Sequence, residues 1–157
     1  MTIQIDTREH KFEVARIQRQ IEREGVSTFL SKLDVGDYMN VKNPNLVIDR
    51  KKDLGELCSN VTQQHERFRR ELQRAVKNGV HLIILIEHGE EIQSLEDVYF
   101  WENPRREKSP RAINGQQLYR SLVTMQERYG VSFEFCDKRQ TGKKIINLLE
   151  VHGEGKE

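Results

Sequence analysis

The stretch GDYMNVKNPNLVIDRKK, Gly36 to Lys52, sets Asp37 and Asp49 twelve positions apart, with Lys51 two places after the second acid. Asn43-Pro44-Asn45 is a turn signal, and the flanking runs YMNV and LVIDRK are strand-like, so the spacing predicts a hairpin. In a strand, alternate side chains share a face. Val47, Asp49 and Lys51 therefore point one way, and Leu46, Ile48 and Arg50 the other. A register set near the turn carries Asp37 back toward Asp49 and Lys51. Two carboxylates on a partly buried surface repel one another unless something neutralises them. A divalent cation does so: Mg²⁺ is hard, prefers oxygen, and takes one or two carboxylates plus waters and substrate phosphate. A lysine alongside can orient the attacking water or stabilise charge on the phosphate. That is the chemistry of metal-assisted phosphodiester hydrolysis. The hairpin alone does not decide the matter, because a turn-capping Asp37 and a surface Asp49–Lys51 ion pair have the same spacing.

Two further features tip the balance. Asp6 closes the alternating run TIQID, and the chain continues as Asp6-Thr7-Arg8-Glu9. Ending on the same sheet edge, Asp6 supplies a third carboxylate. Beyond the hairpin, ERFRRE sets Arg67 and Glu71 one turn apart on one helix face, a phosphate contact and a further acid.

Several elements must hold these residues in place. TIQID predicts a strand, HKFEVARIQRQIEREG a helix stopped by Gly25, and VSTFLSKLDV a strand leading into Gly36. After the two hairpin strands, one long helix is expected from Leu54 to Lys77, with Phe68, Leu72, Ala75 and Val76 on one side. VHLIILI reads as a strand apolar on both faces, the middle of a sheet covered on two sides. Ser94 and Asp97 open a short helix through VYFW. NPRREKSPRAING reads as an exposed loop, QQLYRSLVTMQERYG as an amphipathic helix, VSFEF as a strand, and TGKKIINLLEV as a closing helix opened by Thr141. The order β-α-β-β-β-α-β-α-β-α predicts an α/β fold, a mixed central β-sheet flanked by helices on both faces. One domain over residues 1–157 is expected.

The 157 residues are 36% hydrophobic and 32% charged, with a net charge of +1, which is no global sign of nucleic-acid binding. The balance hides clustering. RKK at Arg50–Lys52, ERFRRELQRAVK at Glu66–Lys77 and NPRREKSPR at Asn103–Arg111 are locally basic, while EHGEE gathers acid. Such segregation permits a cationic face for phosphate, although each run alone also suits a solvated helix. No secretory leader and no apolar run long enough to cross a bilayer is present, so an intracellular, cytoplasmic setting without membrane contact is expected. Cys58 and Cys136 lie far apart in no metal-like spacing and read as structural thiols of a reducing interior. The five histidines show no zinc-ligand interval, and no glycine-rich loop suggests ATP use.

Taken together, IQIDTRE, GDY, VIDRK and ILIEHG resemble, in order and spacing, the nuclease domain of the XPF-type structure-specific endonucleases, part of the restriction-endonuclease-like superfamily. The likeness runs by motif from Ile3 to Glu87 and more weakly to TGKKIINLL near the end. It implies a restriction-endonuclease-like fold, dependence on Mg²⁺ or Mn²⁺, and cleavage of DNA at branched, flap-like or other single-strand/double-strand junctions. It assigns Asp6, Arg8, Glu9, Asp37, Asp49, Arg50 and Lys51 to catalysis, with Asp6, Asp37 and Asp49 on the metal. Lys52, Arg67, Arg70 and Glu71 are the expected DNA contacts. The chain departs from the family where a glutamate becomes Asp49, an aspartate becomes Gly55, and a glutamine becomes Glu71. No tandem helix-hairpin-helix module follows before Glu157, which makes a stand-alone nuclease the expectation and leaves junction specificity open. A homodimer through the second half is a further expectation. Two alternatives stand beside the endonuclease: a non-catalytic DNA-binding or scaffold partner, and an exonuclease or junction resolvase on the same fold.

Overall fold

The structure is a computed structural model that describes residues 1–8 and 11–154. The chain runs β1 (Thr2–Ile5), α1 (Lys11–Arg23), β2 (Ser27–Leu30), β3 (Tyr38–Asn40), β4 (Leu46–Lys51), α2 (Leu54–Val61) and α3 (His65–Lys77). It continues through β5 (His81–Glu87), α4 (Leu95–Val98), a 3₁₀ turn at Pro104–Glu107, α5 (Gly115–Tyr129), β6 (Ser132–Cys136) and α6 (Thr141–Glu154). Six strands form one sheet in the order β2-β1-β3-β4-β5-β6. β3 is antiparallel to both its neighbours, β1 and β4, and the remaining pairs are parallel. The tight hairpin explains the reversal: strands joined by a short turn must run antiparallel, whereas the others are joined by helical crossovers.

The sheet is covered on both sides, as expected from the doubly apolar β5. On the front face Val47, Leu82, Ile84, Ile86, Phe133 and Phe135 pack against α2, α3, α4 and α5. On the rear face Ile3, Ile5, Tyr38, Ile48, Ile83 and Leu85 pack against α1 and α6. The alternation predicted for β4 holds: Val47 belongs to the front core, and Leu46 and Ile48 to the rear. Two helix starts read from the sequence are also present. Ser94 caps α4 by accepting from the Asp97 N–H, and Thr141 opens α6. Trp101 packs against the front core and meets His88 edge-on at 5.8 Å, a packing position.

Three elements differ from expectation. The long helix is two helices, because consecutive β-branched Val61 and Thr62 weaken it and the Thr62 hydroxyl bonds back to the Cys58 carbonyl at 2.7 Å. The second strand ends early. Ser31 N–H still donates to the Ile5 carbonyl, but the following residues leave the sheet and bury Leu33 and Val35. Within the loop read as irregular, Pro104–Glu107 forms a 3₁₀ turn capped by Asn103. Among the described residues, no helix is long and apolar enough to cross a membrane.

Gly36 is the tightest point of the return into β3. Its φ is +71°, and an added Cβ would overlap Val47 Cγ1 and press on the Ile48 carbonyl. Gly36→Ala is therefore expected to destabilise the protein by about 1–3 kcal/mol, the scale of local backbone strain, read as a lower urea midpoint. An unchanged midpoint would mean that the turn relaxes freely.

Candidate active site

The register of the three central strands lines up the acids. Ile5 faces Tyr38 and Tyr38 faces Ile48 in the two antiparallel ladders. One step beyond the first ladder Asp6 stands opposite Asp37, whereas at the second the chain bulges, with Asp37 and Tyr38 both set against Ile48, one residue before Asp49. Backbone bonds hold that step: Asp6 N–H donates to the Asp37 carbonyl at 2.9 Å, and Asp37 N–H to the Ile48 carbonyl at 2.8 Å. Residues directly opposite in such a ladder share a face and lie roughly 5 Å apart between Cα atoms. The three aspartates thus gather at the same end of β1, β3 and β4.

All three line a cavity of about 200 Å³ on the front face, together with Asp34, Arg8, Arg67, Glu71 and Arg74. Five carboxylates outnumber three guanidiniums there, so acidic groups predominate in the cavity lining. The α3 side chains that reach it, Arg67, Glu71 and Arg74, recur at one-turn spacing, and Arg67 Nε lies 3.9 Å from Glu71 Oε1.

Asp6 is buried and fully engaged. Its Oδ1 accepts from Leu33 N–H at 2.8 Å and Arg8 Nη2 at 3.2 Å, and its Oδ2 from Arg8 Nε at 3.0 Å and Arg8 N–H at 3.2 Å. Arg8 also donates to the Leu33 carbonyl at 2.5 Å. Asp6 and Arg8 together tie the loop after β2 onto the end of β1. Asp37 Oδ2 accepts from the Arg50 N–H at 2.8 Å, which braces the acid against the neighbouring strand.

Asp49 differs. Its buried Oδ2 lies 3.1 Å from Lys51 Nζ, an ion pair without the alignment of a hydrogen bond, and the atom has no hydrogen-bond partner. Lys51 is itself buried, with its ammonium 5.3 Å from the centre of the Phe68 ring. Burial acts to lower the lysine pKa, but Asp49, Glu56 and Asp37 outweigh it and hold Lys51 above its ordinary value. Glu71 is pushed up instead, by burial first and by the charge on Asp49 second.

Arg50, between Asp49 and Lys51 in sequence, points to the rear. Its Nε donates to Glu87 Oε1 at 2.8 Å and its Nη2 to Glu13 Oε2 at 2.6 Å. Arg16 donates to both Glu87 oxygens and to Glu13, and the Thr141 hydroxyl donates to Glu87. The hydrogen bond from Arg16, against the opposing pull of burial, holds the Glu13 carboxyl below its ordinary range. This buried network joins β4, β5, α1 and α6 behind the cavity.

The residues expected from sequence therefore fall into groups. Asp6, Arg8, Asp37, Asp49, Arg67 and Glu71 share the cavity, and Lys51 adjoins it through Asp49. Arg50 lies behind the sheet. Lys52 and Arg70 are exposed and do not line the cavity, and Glu9 lies outside the described residues. Asp34 and Arg74 line the cavity without having been expected. Arg74 continues the stripe of Arg67 and Glu71, a signal the periodicity carried, whereas nothing local marked Asp34.

The chemistry of the donor set suits a hard divalent cation. Asp49 Oδ2 is a buried, unsatisfied carboxylate oxygen beside Asp37. Among the described residues, no three Asp, Glu, His or Cys side chains converge as a ready ligand set. Two carboxylates completed by water and phosphate oxygens is the pattern of Mg²⁺, and the oxygens of Asp6 are already taken.

The family model described as "ERCC4 domain" matches residues 5–149. Two solved structures share the fold: XPF from Aeropyrum pernix, with a TM-score of 0.70, and the same protein in complex with DNA, at 0.68. Each is 20% identical over 98% of this chain. This chain spans 66% of the length of each of those chains. No curated protein matches it in sequence.

The raised Glu71 carboxyl has a consequence for stability. A carboxyl whose folded pKa lies above its unfolded value favours folding while protonated. That contribution is present below the unfolded value and lost as pH rises through the folded one. Glu71→Gln, which keeps the neutral shape, is expected to raise the urea midpoint relative to wild type at pH 8, and the gain should vanish near pH 4. A variant less stable than wild type at pH 8 would contradict this.

Proposed function

The chain belongs to the ERCC4 domain family, and from that premise we propose that it is a metal-dependent DNA endonuclease, one nuclease domain that cuts phosphodiester bonds at branched or flap-like junctions. The observation that carries the reading is the meeting of Asp6, Asp37 and Asp49 in one cavity that Arg8, Arg67 and Arg74 also line, with Lys51 paired to Asp49. The fold shared with a structure of XPF in complex with DNA supports DNA as the substrate.

Asp37 and Asp49 would hold Mg²⁺ or Mn²⁺, which supplies Lewis-acid polarisation of the phosphate and a more acidic bound water. The protein's own residues do the rest. Asp6 and Arg8 fix the loop that carries Asp34 and Asp37, so the acids do not drift apart as substrate enters. Arg67 and Arg74 meet the phosphate oxygens from α3. Lys51, kept charged by Asp49, stands where negative charge grows as water adds to phosphorus and the ester P–O bond breaks. The departing oxygen takes its proton from solvent. Arg50, anchored to Glu87 and Glu13, keeps the strand between Asp49 and Lys51 from twisting, so it is a positioning residue. Arg50 and Glu87 are buried, so loss of either would strip the other of a buried charge partner.

The test is cleavage of labelled single-strand, duplex, flap, fork and four-way-junction DNAs in Mg²⁺, Mn²⁺ or EDTA. Wild type is expected to cut a branched substrate only with metal, and Asp49→Asn to lose about 10²–10³ in rate, as other losses of transition-state electrostatic groups do. Equal binding by both proteins with cutting by neither would mean a DNA-binding partner instead.

A further inference from the structure

Helix α3 separates two different environments. Arg67, Glu71 and Arg74 face the acidic cavity. On its opposite flank, between α2, α3 and α5, lies a groove of about 260 Å³. Its walls are apolar, formed chiefly by Val61, Phe68, Leu72, Met125 and Tyr129. Arg69, Arg128 and His65 line it as well. Arg69 is shared with Glu66 at 3.3 Å, but Arg128 has no acidic partner among the described residues. At one end stands Asn60. Its Nδ2 donates to Gln64 Oε1 at 3.1 Å, while its Oδ1 is buried without a hydrogen-bond partner.

The combination is specific in chemistry. Phe68 and Leu72 are buried, so the apolar surface that meets a ring is that of the half-buried Val61, Met125 and Tyr129. An acceptor left without a donor suits a base N–H, reached by rotation of the amide. Guanidiniums at the mouth suit a phosphate. An acidic peptide would use the cations and the wall but has less need of the isolated acceptor. Position also favours nucleic acid. A helix with its side chains is about 10–12 Å across, so the groove lies roughly three stacked nucleotides from the cavity, at 3.4 Å each. The exposed crest of α3 between them carries Arg70 and Lys77, which a strand would cross.

We propose that this groove is a second nucleic-acid site, which takes one unpaired base and its phosphate from the single-stranded arm of a branched DNA. Its role in placing the cut rests on the proposed nuclease reading, but its binding does not. Base stacking on protein side chains is sequence-tolerant, so the site would read the presence of an unpaired strand and not its sequence. It gives this chain a way to prefer junctions that carry a single-stranded arm.

The experiment is fluorescence anisotropy in EDTA, where nothing is cut, with a forked DNA and a blunt duplex of equal charge. Wild type, Arg128→Glu, Tyr129→Ala and Tyr129→Phe are compared after far-UV circular dichroism confirms that each is folded. Arg128→Glu and Tyr129→Ala are each expected to weaken the fork by about tenfold and the duplex by less than about twofold. Tyr129→Phe keeps the ring and should bind the fork as wild type does. Equal losses on fork and duplex would reduce the groove to a general cationic contact and overturn the proposal. So would unchanged fork binding, or displacement of the fork by a leucine-containing acidic peptide at lower concentration than by a single-stranded oligonucleotide. Fork-selective losses in a protein that cuts no DNA would uphold the groove and sink the nuclease reading. Metal-dependent cutting without those losses would do the reverse.

Discussion

Three carboxylates gathered at one end of adjacent strands are a Coulombic problem around which this structure is arranged. Two unit charges about 5 Å apart repel by roughly 3 kcal/mol at an effective dielectric of about 20. The pairing of Ile5 with Tyr38 and Tyr38 with Ile48 brings Asp6, Asp37 and Asp49 to the same end of the three strands, where they line one cavity. The protein answers each charge differently. Asp6 is neutralised locally by the forked guanidinium of Arg8 and a loop N–H. Asp37 leans on the Arg50 N–H. Asp49 is paired with Lys51, in poor hydrogen-bond alignment, and keeps a buried oxygen without a hydrogen-bond partner among the described residues. The residual charge is concentrated where a cation and a phosphate would meet.

The same constraint explains the rear of the sheet. β4 ends in three consecutive buried charges, Asp49, Arg50 and Lys51, and pleating sends the middle one backwards. Arg50 would be costly there without Glu87 and Glu13, and Glu87 in turn satisfies Arg16 and Thr141. The front chemistry and the rear network are therefore two sides of one strand. α3 plays a comparable part in front, offering Arg67, Glu71 and Arg74 to the cavity and Arg69 to the groove on its other flank.

Much of this was legible in the sequence because it depends on short-range rules. Alternation along LVIDRK correctly separated Asp49 and Lys51 from Arg50, and the Asn-Pro-Asn turn gave the hairpin that brings Asp37 back. Ser94 and Thr141 marked helix starts. What could not be read depends on contacts between distant segments. That the oxygens of Asp6 are filled follows from Leu33, 27 residues away. That Arg50 is anchored follows from Glu87, 37 residues away. Asp34 joins the cavity only because the chain leaves the sheet after Leu30 and returns through the left-handed Gly36. The helix break at Thr62 was visible as two β-branched residues in succession, yet the apolar phase runs on through it from Leu54 to Ala75, and periodicity alone joined the halves.

The central claim is that β3 and β4 hold a divalent cation between Asp37 and Asp49. The most direct measurement is titration with Mn²⁺, following the free ion by electron paramagnetic resonance, on wild type, Asp37→Asn, Asp49→Asn and Asp6→Asn without DNA. The account predicts binding that is lost in Asp37→Asn and Asp49→Asn but retained, if weaker, in Asp6→Asn, whose carboxylate serves the loop. Binding that survives unchanged in Asp37→Asn and Asp49→Asn, or that disappears only in Asp6→Asn, would contradict it.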